Sequence, residues 1–131
     1  MESPFPSLRS ALLFVCLAVP LPALGETRLV MAEEAGCFWC ARWNAEVGDA
    51  YDLTAEGRAA PLVRVDIHGE LPSSLSFANR LVYTPTFVLM RDGHEISRLE
   101  GYPGEDFFWA LFQNMLDDAG IDWRDAEAKT N

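Results

Sequence analysis

The sequence predicts an α/β fold: a four-stranded mixed sheet, built as β-α-β and then β-β-α, flanked by helices on both faces. Three observations carry this. The apolar run Arg28-Leu-Val-Met-Ala32 comes just before a helical pattern that begins at Cys37. Leu62-Val-Arg-Val-Asp-Ile67 supplies a second strand after that helix, so the two strands can pair in parallel. Later, Asp92-Gly93 separates two further strand-like runs, a strong signal for a two-residue hairpin and hence for an antiparallel pair.

Residues 1–25 read as an export signal. Arg9 lies in a short polar start, and an apolar stretch runs from Ala11 to Leu24. Ala23 and Gly25 place small residues at −3 and −1, so cleavage is expected before Glu26. The apolar stretch is short beside the ~20 residues of a membrane span, and an uncleaved anchor is the alternative reading. Residues 26–131 are then one domain with enough chain for a single core.

Within this domain, Arg28 to Ala32 is the first strand, and Glu33 to Gly36 the turn out of it. Cys37 to Tyr51 is a helix, because Cys40, Trp43, Val47 and Tyr51 fall three and four apart on one face. Asp52 to Pro61 is loop or a further short helix. Leu71 to Leu81 is ambiguous, with room for a short helix from Ser74. Thr86 to Arg91 and Glu95 to Glu100 are the hairpin strands. Gly101-Tyr-Pro-Gly104 breaks the chain before a helix from Glu105 to Asp117. Its paired stripe, Phe107/Phe108, Leu111/Phe112 and Met115/Leu116, is expected in the core. Glu105 and Asp106 suit its positive N-terminal end. Ile121 and Trp123 are expected to fold back.

The chain has 20 acidic and 10 basic residues, a net charge of −10. Removing the signal leaves that net charge unchanged. Such a surface argues against nucleic acid and anionic membranes as partners. Of three cysteines, Cys16 lies in the signal, leaving Cys37 and Cys40. As a staple they would close almost no loop and add little entropic stability. At a helix start they can instead close and open a disulfide. A thiolate is the attacking species, and a helix N-terminus stabilises negative charge. Cys37 is therefore expected as nucleophile and Cys40, one turn further in, as resolving thiol.

Phe38 and Trp39 offer an apolar contact surface, with one of them expected on the core. Trp43 is expected in the core, and Tyr83 and Tyr102 either rim the cleft or pack. Glu33 and Glu34 read first as solvated turn carboxylates, and second as a proton acceptor for Cys40. The chemistry calls for no cofactor and no metal. Two rival functions remain at this point: zinc or copper binding by Cys37, Cys40, His68 and His94, and redox-inert peptide binding in a Thr84-Pro85 cleft.

Three stretches together carry a resemblance: Gly36-Cys-Phe-Trp-Cys-Ala-Arg-Trp43, Thr84-Pro-Thr-Phe-Val-Leu-Met90 and Glu100-Gly-Tyr-Pro-Gly-Glu-Asp-Phe-Phe-Trp109. Over nearly all of residues 27–117 the chain resembles the thioredoxin-like family. Within it, the chain is similar to the periplasmic thioredoxins encoded with bacterial sulfur-oxidation (Sox) systems, the SoxS type. The resemblance implies a minimal thioredoxin-like fold and a cis-proline at Pro85. It places the backbone of Thr84 facing the sulfurs, paired with substrate main chain. It also implies a periplasmic oxidoreductase that reduces protein disulfides; separately, the chain is expected to be a monomer. The Sox sulfur-carrier protein would be its substrate, and a CcdA-like membrane thiol transporter its electron donor. The chain departs from ordinary thioredoxins at Gly36 (their tryptophan), at Phe38-Trp39 (their Gly-Pro) and at Met31 (their buried acid). These departures bear on the proton path to Cys40 and on the reduction potential.

Overall fold

A computed structural model describes residues 25–126. The expected signal segment lies, but for Gly25, outside the described residues. Strand β1 (Thr27–Glu33) is central in a sheet of order β2-β1-β3-β4. Strand β2 (Leu62–Asp66) runs parallel to it, and β3 (Thr86–Arg91) runs antiparallel on its other side. Strand β4 (His94–Glu100) completes the hairpin with β3. This is the mixed sheet that the sequence predicts.

Strand β1 is apolar without alternation because both of its faces are covered. Leu29 and Met31 face one core, with Trp43, Phe87, Leu89 and Phe108. Val30 and Ala32 face the other, with Val65, Val88 and Met90. The helix after β1 is α1 (Phe38–Trp43), a π-helical stretch (Asn44–Gly48) and α2 (Asp49–Tyr51) in unbroken succession. Its predicted stripe, Cys40, Trp43, Val47 and Tyr51, is buried throughout. Helix α3 (Ala55–Ala59) occupies the 52–61 segment and is capped by Thr54, whose Oγ1 accepts the Gly57 N–H at 3.0 Å.

Helix α4 (Glu105–Asp118) packs on the same face as α1. Phe108 lies 5.7 Å from Trp43 and 4.9 Å from Phe87, centroid to centroid. Only one row of the predicted double stripe is buried in full: Phe108, Phe112 and Leu116 lie in this core, Met115 packs partly against it, and Phe107 and Leu111 are exposed. A helix resting on a sheet buries one row beneath it and leaves the next at its flank. Ile121 and Trp123 fold back onto this core.

The helices therefore lie on one face, not on both. On the opposite face Leu75, Phe77 and Leu81 cover the sheet, and no helix forms between residues 71 and 81. Leu75 and Phe77 are two apart, a spacing that suits extended chain. Ser76 confirms the choice: its N–H donates to the Gly93 carbonyl at 2.7 Å, and its own carbonyl accepts the Glu95 N–H at 3.1 Å. Gly93 is needed there. Its φ is +79°, and a Cβ would stand 2.3 Å from the Ser74 carbonyl oxygen. Among the described residues no helix is long and apolar enough to cross a membrane.

The rest of this covering segment hangs on one largely buried ion pair. Arg98 Nε donates to Glu95 Oε1 at 2.7 Å and Arg98 Nη2 to the Asn79 carbonyl at 3.0 Å. Glu95 Oε2 accepts the Ala78 N–H at 2.7 Å. Arg98→Ala would leave the Glu95 carboxylate without its cation. We expect a loss of about 2 kcal/mol in urea denaturation, with faster amide exchange at Ala78. An unchanged midpoint would show the pair to be dispensable.

Candidate active site

Strand β1 delivers the chain to the site, and Gly36 turns it. Gly36 has φ +77°, a left-handed conformation that disfavours a side chain. Cys37 follows as the N-cap of α1, with its N–H donating to the Glu34 carbonyl at 3.3 Å. Cys37 and Cys40 are joined by a disulfide, their Cα atoms 5.3 Å apart. Cys37 is half-buried, whereas Cys40 is 4% exposed. The Cys40 N–H donates to Cys37 Sγ at 3.1 Å. This is one of the helix-start donors that has no carbonyl partner within the helix. Aimed at the outer sulfur, it stabilises negative charge there once the disulfide opens. A shallow cleft of about 430 Å³ runs beside the pair, lined by Glu33, Glu34, Phe38 and Asn44 among others.

Phe38 and Trp39 are 68% and 47% exposed, so neither packs on the core. Cys40 and Trp43 take the core-facing positions of that turn, and the two rings stack edge-on to each other at 5.1 Å instead. A chain of contacts holds Trp39. The Arg42 guanidinium lies 5.7 Å from its ring centroid. Arg42 Nε donates to Glu46 Oε1 at 2.8 Å, and the Tyr102 hydroxyl donates to Glu46 Oε2 at 2.5 Å. Burial and the Glu46 carboxylate raise the Tyr102 hydroxyl well above its ordinary range, so it stays a donor. Tyr102 is thus a packed, bonded residue, whereas Tyr83 is exposed.

The Thr84–Pro85 peptide is cis, and Pro85 is buried. The Pro85 carbonyl accepts the Gly101 N–H at 2.7 Å. The Thr84 hydroxyl donates to Glu34 Oε1 at 2.7 Å, and Glu34 Oε2 lies 2.6 Å from His68 Nε2. Glu33 has a separate partner, Arg64, whose Nη1 donates to Glu33 Oε2 at 2.8 Å. Arg64 Nη2 donates to Asn44 Oδ1 at 2.8 Å, and its guanidinium lies over the Trp43 ring. Met31, fully buried, offers only its sulfur to Arg64, at 3.6 Å.

The two acids are therefore not solvated turn carboxylates: each is partly buried and engaged. Sequence reading missed Arg64 and the engagement of His68. Both follow from the parallel β1–β2 register, which sets Met31 opposite Arg64 and Glu33 opposite Asp66, and so brings the residues just past each strand together. His68 is engaged by Glu34 and His94 sits in the hairpin strand β4. Among the described residues, no three His, Cys, Asp or Glu side chains are grouped to hold a metal.

The Thr84 hydrogen bond, and after it the His68 contact, lower the Glu34 carboxyl below its ordinary 4.5. A carboxyl lowered by folding stabilises the folded state fully above the ordinary value, and that contribution is lost as pH falls through the lowered one. The Thr84–Glu34 bond is thus expected to survive mild acid. A carbon-13 NMR titration of the Glu34 carboxyl should give a midpoint below 4.5. A midpoint at or above that value would contradict the bond.

Two half-exposed-to-buried sulfurs at a helix start, on a β-α-β-β-β-α sheet with a cis-proline loop, define a thiol–disulfide oxidoreductase of the thioredoxin fold. No protein-family profile matches the chain, and no curated protein matches it either. Solved structures do. The periplasmic thioredoxin SoxS from Paracoccus pantotrophus, in its reduced form, is 51% identical, with TM-score 0.70 over 72% of this chain and 99% of that one. Fasciola hepatica thioredoxin is 19% identical, with TM-score 0.48 over 70% of this chain and 82% of that one. Malassezia sympodialis thioredoxin is 15% identical, with TM-score 0.47 over 69% and 75%. The chain belongs to the thioredoxin-like family.

Proposed function

We propose that this oxidoreductase works in the periplasm as a reductant of protein disulfides. The observation that supports it best is the outer cysteine: Cys37 is half-buried and its Sγ receives the Cys40 N–H. In the reduced enzyme the Cys37 thiolate attacks one sulfur of a partner's disulfide. A mixed disulfide forms, and the partner's other sulfur leaves as a thiolate and takes up a proton. Cys40, once deprotonated, attacks Cys37 Sγ and expels the partner's second sulfur. The partner gains two electrons, and Cys37–Cys40 must be reduced again by an external dithiol.

Phe38, Trp39, Thr84 and Pro85 form the binding surface in this reading. The main-chain N–H and C=O of Thr84 make no main-chain hydrogen bond to another described residue. They are free to pair with an extended peptide, as an added strand does. The likeness to a periplasmic SoxS and the signal-like residues 1–25 support the location. The same likeness motivates the partners: a Sox sulfur-carrier protein as substrate, and a CcdA-like thiol transporter as electron donor, with the enzyme acting as a monomer.

Charge around the sulfurs sets the direction of transfer. Phe38-Trp39 brings no cation to the sulfurs, and Arg42 is committed to Glu46 and Trp39. Without a cation the thiolate is only moderately stabilised, which favours the oxidised form and makes the dithiol a reductant. Equilibration with dithiothreitol or glutathione buffers, read by mass spectrometry, tests this. A potential near about −270 mV is expected, and one near about −120 mV would make the protein an oxidant.

A further inference from the structure

Three segments that build the site meet at one carboxylate. Glu34 lies in the turn between β1 and α1, and its carbonyl accepts the Cys37 N–H at 3.3 Å. Its Oε1 accepts the Thr84 hydroxyl at 2.7 Å, so one residue links the outer cysteine to the cis-prolyl loop. Its Oε2 is held 2.6 Å from His68, just past β2. The loop has other anchors, but they lie further along it or are internal to it. Pro85 bonds Gly101, and the Thr86 hydroxyl donates to the Tyr83 carbonyl. Val82 and Tyr83, immediately before Thr84, are exposed. Among the described residues, the Glu34 bond is the one hydrogen bond that ties Thr84 to the cysteine side of the cleft.

We propose that Glu34 is a positioning residue: through Thr84 it fixes the peptide-binding edge relative to Cys37 Sγ, with His68 orienting the carboxylate. This rests on the reading that Thr84 binds substrate main chain. A loose edge would still let a small disulfide reach Cys37. It would hold an extended peptide poorly, because the peptide's sulfur must arrive in register with the attacking one. The effect therefore belongs in KM for peptides and not in the chemistry of Cys37.

The test compares the reduced protein with Glu34→Ala, Thr84→Val, their double variant and Glu34→Gln. Two substrates are used: a disulfide-linked extended peptide and hydroxyethyl disulfide. Glu34→Ala and Thr84→Val should each raise the peptide KM about fivefold, the scale of one net hydrogen bond, with kcat little changed. The double variant should be no worse than either single one, since both remove the same bond. Glu34→Gln should restore most of the affinity, because an amide oxygen still accepts from Thr84. On hydroxyethyl disulfide, which needs no extended edge, Glu34→Ala should lose clearly less than on the peptide.

Several results would overturn the role of Glu34 alone: an unchanged peptide KM in Glu34→Ala, additive effects in the double variant, or an equal loss on both disulfides. If Glu34→Ala fails to fold, Thr84→Val decides, since it removes a hydroxyl and keeps the shape; an unchanged peptide KM there overturns the role as well. Wild-type protein that reduces hydroxyethyl disulfide but not the peptide would overturn the underlying reading, and the proposal with it.

Discussion

Reduced Cys40→Ser protein, mixed with a disulfide-bonded protein, is expected to accumulate a covalent mixed disulfide through Cys37. Cys37→Ser is expected to lose exchange by at least about a thousandfold, because the attacking atom is gone. The asymmetry follows from position. Both cysteines lie in one turn, but Cys37 is the half-buried cap that receives a helix N–H, and Cys40 is 4% exposed beneath it. Removing the inner thiol stops only the second displacement, so the first product is trapped. Non-reducing electrophoresis and peptide mass mapping would show the adduct and its site. Accumulation in Cys37→Ser instead, through Cys40, would reverse the assignment. Equal activity of both variants would leave the disulfide a passive feature.

The second large effect is on stability. Trp43 is fully buried, and its ring meets Tyr51, Phe87 and Phe108 with centroids 5.9, 5.3 and 5.7 Å away. It joins the active-site helix to the sheet and to α4. Truncation to alanine should cost about 4 kcal/mol. Small domains have about 5–15 kcal/mol in total, so a large share of the fold's stability would go. Trp43→Phe should cost far less, about 1 kcal/mol. It keeps most of the ring contacts and removes an indole N–H that is buried without a hydrogen-bond partner. Urea denaturation of the two variants would settle the order. A Trp43→Phe as damaging as Trp43→Ala would mean that the N–H has a role which packing does not explain. Removing either exposed ring, Phe38 or Trp39, should barely move the midpoint, since neither is part of the core.

How much of this was legible beforehand depended on the kind of signal. The strands and the two main helices announced themselves through period: Cys40, Trp43, Val47 and Tyr51 at helical spacing, and Asp92-Gly93 between two strands. All of those residues lie where the pattern put them. Periodicity could not say which face of the sheet a helix would cover, and here both helices chose the same one. Nor did it resolve Leu71 to Leu81: Leu75, Phe77 and Leu81 fit the period of two of extended chain, but the run is too short and too broken by Ser73, Ser74 and Ser76 to exclude a short helix, and tertiary contacts decided. The double stripe of α4 splits for a related reason: adjacent apolar residues cannot both face a flat sheet, and of Phe107 and Phe108 it is Phe107 that stays outside.

At the site, the cysteine pair and the Thr84-Pro85 loop were visible because short motifs mark them. The polar wiring around them was not. Glu34 and Thr84 are 50 positions apart, and Glu33 and Arg64 are 31. Only the parallel β1–β2 register and the approach of the prolyl loop bring them together. Phe38 and Trp39 failed the core expectation because an apolar residue in the first turn of a helix need not find a neighbour beneath it.

Everything in this mechanism depends on Cys37 being the activated outer thiol. The pH dependence of iodoacetamide alkylation, measured on the reduced protein with each cysteine followed by peptide mass spectrometry, tests it most directly. Cys37 is expected to react first, with an apparent pKa below the ~8.5 of a free cysteine, while Cys40 stays protected. Cys40 reacting first, or Cys37 titrating at or above about 8.5, would contradict it.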